Sequence, residues 1–242
     1  MPFSLKPPTI SSTRPCGLSR SQRISLAGME FIPDLSGALY VPDFQALLVA
    51  DLHLEKGTSL ARRGVHLPPY DTRQSLLQLS QAIQATKPRR LIFLGDSFHD
   101  GGARQRIDAD DLAALRAITS NIETLWITGN HDPHPPTDIG GRIANEIALG
   151  PVLLRHEPKA LSPDAFEIAG HLHPAAAVES RGRHIRCRCF IADDRRLILP
   201  AFGSYTGALS VRSEAFDGLF GEYQIWMIGT RNIHRFPASR VR

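Results

Sequence analysis

Five short apolar runs in this chain each end in a cluster of carboxylate, imidazole or amide side chains, and no other feature constrains the fold as tightly. Leu47-Leu48-Val49-Ala50 leads into Asp51-Leu52-His53, and Leu91-Ile92-Phe93-Leu94 into Gly95-Asp96-Ser97-Phe98-His99-Asp100. Leu125-Trp126-Ile127-Thr128 leads into Gly129-Asn130-His131-Asp132, Val152-Leu153-Leu154 reaches His156 after Arg155, and Phe166-Glu167-Ile168-Ala169 precedes Gly170-His171-Leu172-His173. Short apolar runs of this kind read as buried strands. Ligands of α/β sheets bind beyond the carboxyl ends of the strands, so the five clusters are expected to meet in one crevice. Glycine before Asp96, Asn130 and His171 permits backbone turns that a Cβ would resist.

Helical stretches divide these strands. Asp71 is a candidate N-cap for a helix that places Leu76, Leu79 and Ile83 on one face and stops at Pro88. A second helix, started by Asp108 or Asp110, carries Leu112, Leu115 and Ile118, and a third is expected from Ile139 to Ala148. Strand–helix alternation over the first 150 residues argues an α/β fold. After Gly170 the pattern turns to strands, at His184 to Ile191, Leu197 to Pro200 and Gln224 to Ile228. A chain of 242 residues suits one domain with a full core. Residues 1–23 hold Lys6, Arg14, Arg20 and Arg23 with no acid before Glu30, and read as a disordered basic leader. The domain is expected over 24–230, with an Arg-rich tail over 231–242.

No apolar run reaches the ~18 residues of a membrane span. Three cysteines make no disulfide framework, which favours a reducing, cytoplasmic setting. Cys187 and Cys189 read as small buried apolar residues. The net charge of +4 biases the chain toward anionic partners. Carboxylate, imidazole and amide oxygen together suit Mn, Fe or Zn, and thiolates are absent from the clusters.

Asp51-x-His53, Gly95-Asp96, Gly129-Asn130-His131-Asp132, His156 and Gly170-His171-x-His173 together resemble the five-motif signature of the calcineurin-like phosphoesterases. Ala50-Asp51-Leu52-His53-Leu54-Glu55-Lys56-Gly57, Leu67-Pro68-Pro69-Tyr70-Asp71-Thr72 and Leu199 to Gly207 resemble one bacterial branch, the ligase-associated DNA damage response phosphoesterases. The resemblance spans about Ile24 to Ile228. It implies a four-layer sandwich, two mixed β-sheets packed face to face with helices outside. It also implies two divalent ions, Mn2+ first and Fe, Zn or Mg as alternatives. Asp51, His53 and His173 would hold one ion, Asn130, His156 and His171 the other, and Asp96 would bridge them. His131 would act at the leaving group, with Asp132 behind it. Glu157-Pro158 after His156 departs from the family's glycine, which leaves His134 as the alternative ligand.

Arg181, Arg183, Arg186, Arg188, Arg195 and Arg196 crowd into 16 residues after the His171/His173 pair. Alternation along a strand would turn Ile185, Cys187, Cys189 and Ile191 to the core and His184, Arg186 and Arg188 outward. Arg186 and Arg188 are therefore candidate phosphate-binding residues; an edge strand charged against aggregation is the competing explanation. Glu55, His99 and Asp100 are candidates for orienting the ligating imidazoles. The expected activity is phosphodiester hydrolysis, on DNA in repair beside a ligase and a helicase. A small-molecule phosphatase or nucleotide pyrophosphatase, and a non-catalytic scaffold, are the alternatives.

Overall fold

The structure is a computed structural model that describes residues 2–8, 22–180 and 182–241. Strand β1 (Phe3–Leu5) comes first. A seven-stranded sheet follows, made of β2 (Ile24–Leu26), β3 (Met29–Pro33), β4 (Leu39–Val41), β5 (Ala46–Val49), β6 (Arg90–Leu94), β7 (Glu123–Ile127) and β8 (Arg142–Ala144) in chain order. It is antiparallel up to β5 and parallel from β5 to β8. Helices α1 (Lys56–Ala61) and α2 (Asp71–Thr86) cross from β5 to β6, and α3 (Ala103–Arg106) and α4 (Ala109–Asn121) from β6 to β7.

The second sheet collects β9 (Ile147–Leu149), β10 (Val152–Leu154), β11 (Phe166–Ala169), β12 (Pro174–Ser180), β13 (Arg183–Ala192), β14 (Arg196–Ile198), β15 (Leu209–Ser210), β16 (Gln224–Ile228) and β17 (Ile233–Pro237). Its order is β1-β9-β10-β11-β14-β13-β12-β15, with β16 on β13 and β17 on β16.

The period-two alternation of strand side chains builds the layers. Leu48, Ile92, Leu94 and Ile127 face Val152, Leu154, Ile168, Phe190 and Leu197 across the two sheets. Leu47, Val49, Leu91, Phe93 and Trp126 face the other way, onto Leu76, Leu79 and Ala82 of α2 and Leu115 of α4. The central strands are thus apolar on both sides because both sides are covered. The fold is α/β, two mixed sheets packed face to face with helices on the outer face of the first. On the outer face of the second, Ile191, Ile198 and Met227 pack against Val211, Phe216 and Val241.

Several local expectations change. Asp108 does cap α4, accepting from the Asp110 amide at 2.9 Å. Asp71 is the first residue of α2, and its carboxylate accepts the Gly57 amide at 3.0 Å instead of capping its own helix. The expected third helix is absent: residues 139–148 hold β8 and the start of β9. Ile139, Ile143 and Ile147 are four apart and mimic a helical face. Gly140 and Gly141 have φ of 77° and 85°, which no helix continues through, and Ile143 is 41% exposed. At the chain ends, Phe3–Leu5 of the expected leader pairs in parallel with β9. Residues 9–21, with Arg14 and Arg20, lie outside the described residues. In the expected tail, β17 bonds along all of β16, and Ile233 and Val241 are buried. Apolar residues between the arginines give that segment a buried face. Among the described residues no helix is long and apolar enough to cross a membrane.

Candidate metal centre

The strand ends do converge. Asp51 and His53 leave β5, Asp96 leaves β6, Asn130, His131 and Asp132 follow β7, His156 follows β10, and His171 and His173 follow β11. Left-handed backbone at Asp51, His53, Asp96, His171 and His173 (φ between 46° and 69°) turns each of these side chains off its strand line. Backbone bonds lock the turns together. The Asp51 amide donates to Gly95 O, that of His53 to Asp96 O, and that of Gly170 to His156 O.

Two trios of donor atoms are built on a carboxylate, Asp51 with His53 and His173, and Asp96 with His156 and His171; His53, His99 and His131 form a third, all-imidazole trio. Within each the donor atoms lie within 4.8 Å of one another. Asp51 Oδ1 is 3.3 Å from His173 Nε2. Asp96 Oδ2 lies between the two carboxylate trios, 3.3 Å from His156 Nε2 and 3.7 Å from His53 Nε2. Asn130 Oδ1 is 2.9 Å from His156 Nε2 and His171 Nδ1 is 3.2 Å from it. His156 Nδ1 donates to Leu94 O at 2.9 Å, so its Nε2 faces the cluster. His134 belongs to none of these trios; it is exposed beside Pro133 and Pro136.

The residues fit divalent ions on an observation independent of any resemblance. His53 Nε2 and His173 Nε2 are buried without a hydrogen-bond partner, which in a protein interior is costly unless another ligand takes the lone pair. Burial, reinforced by the charges of His173, His131 and Lys56 against that of Asp96, lowers the His53 pKa to about 2. Its imidazole is therefore neutral and ready to coordinate. Burial works against a protonated His156 as well. There the bond and charge of Asp96, with the charge of Asp51, outweigh it and raise the pKa to about 9. Without metal, His156 carries the proton that metal would displace.

His131 is exposed at the mouth. Its Nδ1 donates to His99 O at 2.8 Å and its amide to Asp96 Oδ1 at 2.9 Å. A carbonyl can only accept, so Nδ1 carries a hydrogen and Nε2 is the atom left for substrate. Asp132 does not touch His131. Its buried carboxylate accepts the amides of Ser97 (2.9 Å), Phe98 (3.1 Å) and Gly129 (3.1 Å), tying the β6 and β7 loops together. Of the three orienting candidates, only His99 meets a donor residue, Nδ1 to Nδ1 of His53 at 3.4 Å. Glu55 accepts from Thr58 and Thr72, and Asp100 pairs with Arg106. The Leu94 carbonyl that orients His156 is invisible to sequence reading, since any residue supplies one.

The arginine cluster divides. Arg196 is buried, bonded to Glu167 at 2.6 Å and to Leu219 O and Lys159 O, so it serves the fold. Arg195 reaches the carbonyls of Ser162 and Pro163, and Arg181 lies outside the described residues. Arg188 is half-buried, bonded to Ala201 O at 3.1 Å and Leu35 O at 3.5 Å, and Arg186 donates to Ala208 O at 2.6 Å. Arg188 and residues 201–204 and 206–208 line a cavity of about 340 Å³. That loop touches the centre directly, Gly203 N bonding Asp51 O and Leu209 N bonding His173 O. Ile185, expected inward, is 42% exposed, because β14 and β16 meet β13 only from Cys189 onward. Cys187 and Cys189 are free, and Cys189 is buried.

A family model described as calcineurin-like phosphoesterase matches residues 44–176, more than half of the chain. Among solved structures, the Pseudomonas putida nuclease MPE superposes with a TM-score of 0.71 at 28% identity, covering 89% of this chain and 99% of that one. A curated Arabidopsis thaliana protein described as probable inactive purple acid phosphatase 29 is 32% identical over 94 residues, 37% of this chain. The match spans only 24% of that protein's length.

Proposed function

We propose that this chain, which belongs to the calcineurin-like phosphoesterase family and is a metal-dependent phosphoesterase, is a nuclease that cuts phosphodiester bonds in DNA. One observation carries the reading: two donor trios meet at Asp96, a member of one and 3.7 Å from His53 of the other, while His53 Nε2 and His173 Nε2 lie buried without a hydrogen-bond partner. Asp51, His53 and His173 would hold one divalent ion and Asn130, His156 and His171 the other, with Asp96 in common. Such a pair polarises phosphoryl oxygens and lowers the pKa of water toward neutrality.

The chain's own groups do the rest. Asp51 and Asp96 offset part of the ionic charge and leave the centre attractive to an anionic diester. His131 presents Nε2 to the departing oxygen, with the ring held by His99 O. Because Nδ1 keeps its hydrogen for that carbonyl, Nε2 can give a proton only from the doubly protonated imidazolium, and donation from that form contributes ~10²–10⁴-fold. Arg186 and Arg188, on the flank next to His173, would meet a phosphate beyond the scissile one.

DNA as substrate draws on the likeness to the Pseudomonas nuclease and on this cationic flank. The reading extends to Mn2+ as native ion, to repair beside a ligase and a helicase, and to the cytoplasm. It draws there on the donor set, the branch motifs and the free thiols. The test sets labelled single- and double-stranded oligonucleotides against bis-p-nitrophenyl phosphate and nucleoside monophosphates, after chelation and reloading with Mn, Mg, Zn or Fe. Internal cutting of DNA, strongest with Mn2+, is expected. Monoester hydrolysis with intact DNA would overturn the nuclease reading in favour of a small-molecule phosphatase.

A further inference from the structure

Lys56 is a half-buried cation that nothing above employs. The segment carrying it runs alongside the β6 loop: Leu54 N bonds Ser97 O, His99 N bonds Leu54 O, and Lys56 N bonds His53 O. Lys56 thus stands beside His53 and His99, on the side of the centre where His131 stacks on His99 at 5.1 Å. Its ammonium has neither a hydrogen bond nor an ion pair among the described residues. The charge nevertheless reaches the centre, since it acts on both His53 and His99.

The residues around it are held firmly. Glu55, with left-handed φ of 67°, takes hydrogen bonds from Thr58 (2.7 Å) and Thr72 (2.8 Å), and Asp71 takes the Gly57 amide (3.0 Å). Arg106 braces Thr58 at 3.0 Å and pairs with Asp100 at 2.8 Å. Asp71 lends Lys56 a favourable charge without an ion pair, and the exposed Arg63 shares the His99 side, so Lys56 is the half-buried cation left facing it. A partly desolvated, unpaired ammonium costs free energy unless an anion completes it.

We propose that Lys56 anchors the phosphate adjacent to the scissile one on the leaving-group side of a polynucleotide. This rests on the nuclease reading and deepens it. With Lys56 beside His131 and the Arg186/Arg188 pair beside His173, cations flank the centre on two sides. The fitting substrate carries phosphates on both sides of the cut, so cleavage is internal, and a mononucleotide or a small diester leaves Lys56 empty.

The experiment combines Lys56→Gln with oligonucleotides in which single phosphates are replaced by neutral methylphosphonates. With wild type, neutralising the phosphate on the leaving side should lower kcat/KM by roughly ten- to a hundredfold, the scale of one charged hydrogen bond. K56Q should show the same loss on the unmodified strand and little further loss on the modified one. K56Q should also flatten the salt dependence of single-strand binding by about 0.7 in log–log slope. Lys56→Arg should recover most of the activity, and K56Q should lose far less on bis-p-nitrophenyl phosphate than on the oligonucleotide. Metal content and melting temperature are read alongside. Equal losses on oligonucleotide and small diester, or fully additive losses with the methylphosphonate, overturn the anchor. So does K56Q cutting DNA as wild type does. A wild-type protein inert toward every oligonucleotide but active on small esters removes the nuclease reading itself, and the anchor with it.

Discussion

Gly95→Ala tests whether the geometry around His156 carries activity. Gly95 has φ of +81°, and a Cβ there would lie 2.5–2.6 Å from three atoms of His156. The left-handed backbone costs a residue with a Cβ roughly 1–2 kcal/mol. Ordinary contact begins near 3.4 Å, so the imidazole must also retreat by about an ångström. It cannot do so freely, because its Nδ1 bonds Leu94 O at 2.9 Å and its Nε2 faces Asn130 and Asp96. A misplacement of ~1 Å costs about 10²-fold in rate. Elemental analysis should find the ion of the Asp96/His156/His171 trio lost or weakened and the other retained, with kcat down about a hundredfold. The melting temperature should fall by only a few degrees, at ~2–4 °C per kcal/mol for a chain of this size. Gly101→Ala, where a Cβ meets nothing within 4 Å, is the control and should be neutral. Two ions per chain and near-normal kcat in G95A would refute the placement of His156 in the centre.

Asp96→Asn should lose turnover and reduce metal content, because Asp96 Oδ2 faces both trios; two bound ions and full activity would remove its shared role. His131→Ala should keep its metal and lose ~10²–10⁴ in kcat on esters with poor leaving groups, and much less on p-nitrophenyl diesters. Equal losses on both would end the acid role. Replacing Arg186 and Arg188 by Ala should weaken duplex binding and reduce its salt slope by ~0.9 per contact, sparing small diesters. Arg186→Ala alone serves where loss of the Arg188 bonds to Ala201 and Leu35 unsettles the fold. Metal uptake by the stripped protein should release a proton near neutrality. His156 holds one until about pH 9, so affinity at its site should climb up to tenfold per pH unit below that value and level off above it. Calorimetry in buffers of different ionisation enthalpy reads this directly, and no release at pH 7 would contradict it.

The layers and the meeting of the five clusters were legible because both follow from local sequence. An apolar run with polar residues at its carboxyl end announces a buried strand and its functional edge together. Features that depend on partners far along the chain were not legible. Ile139, Ile143 and Ile147 carry a helical spacing, and only the parallel pairing of β8 with β7 and the two left-handed glycines decide against it. Arg196 and Arg188 look alike in a run of arginines. One is consumed by Glu167 on β11, and the other reaches the loop that touches Asp51 and His173. Lys56 carries no signal in the sequence, because a lysine's lack of a partner is a property of the folded chain alone.

Of the nine non-glycine residues with left-handed φ among the described residues, five are Asp51, His53, Asp96, His171 and His173. In an extended strand Asp51 and His53 would both point along one sheet face, into the apolar layer. A left-handed turn at each aims them at the crevice instead. Each such residue costs ~1 kcal/mol or more, so the five together consume a large part of the ~5–15 kcal/mol by which a domain is stable. The conformation persists only where the surroundings over-determine it. Here buried carboxylates do so by taking backbone amides: Asp132 those of Ser97, Phe98 and Gly129, Asp51 that of His171, and Asp96 that of His131. Two of these carboxylates also face the donor trios. The amide bonds therefore aim Asp51 and Asp96 before any ion arrives, and an ion bound there stabilises a backbone shape the chain already holds at a cost.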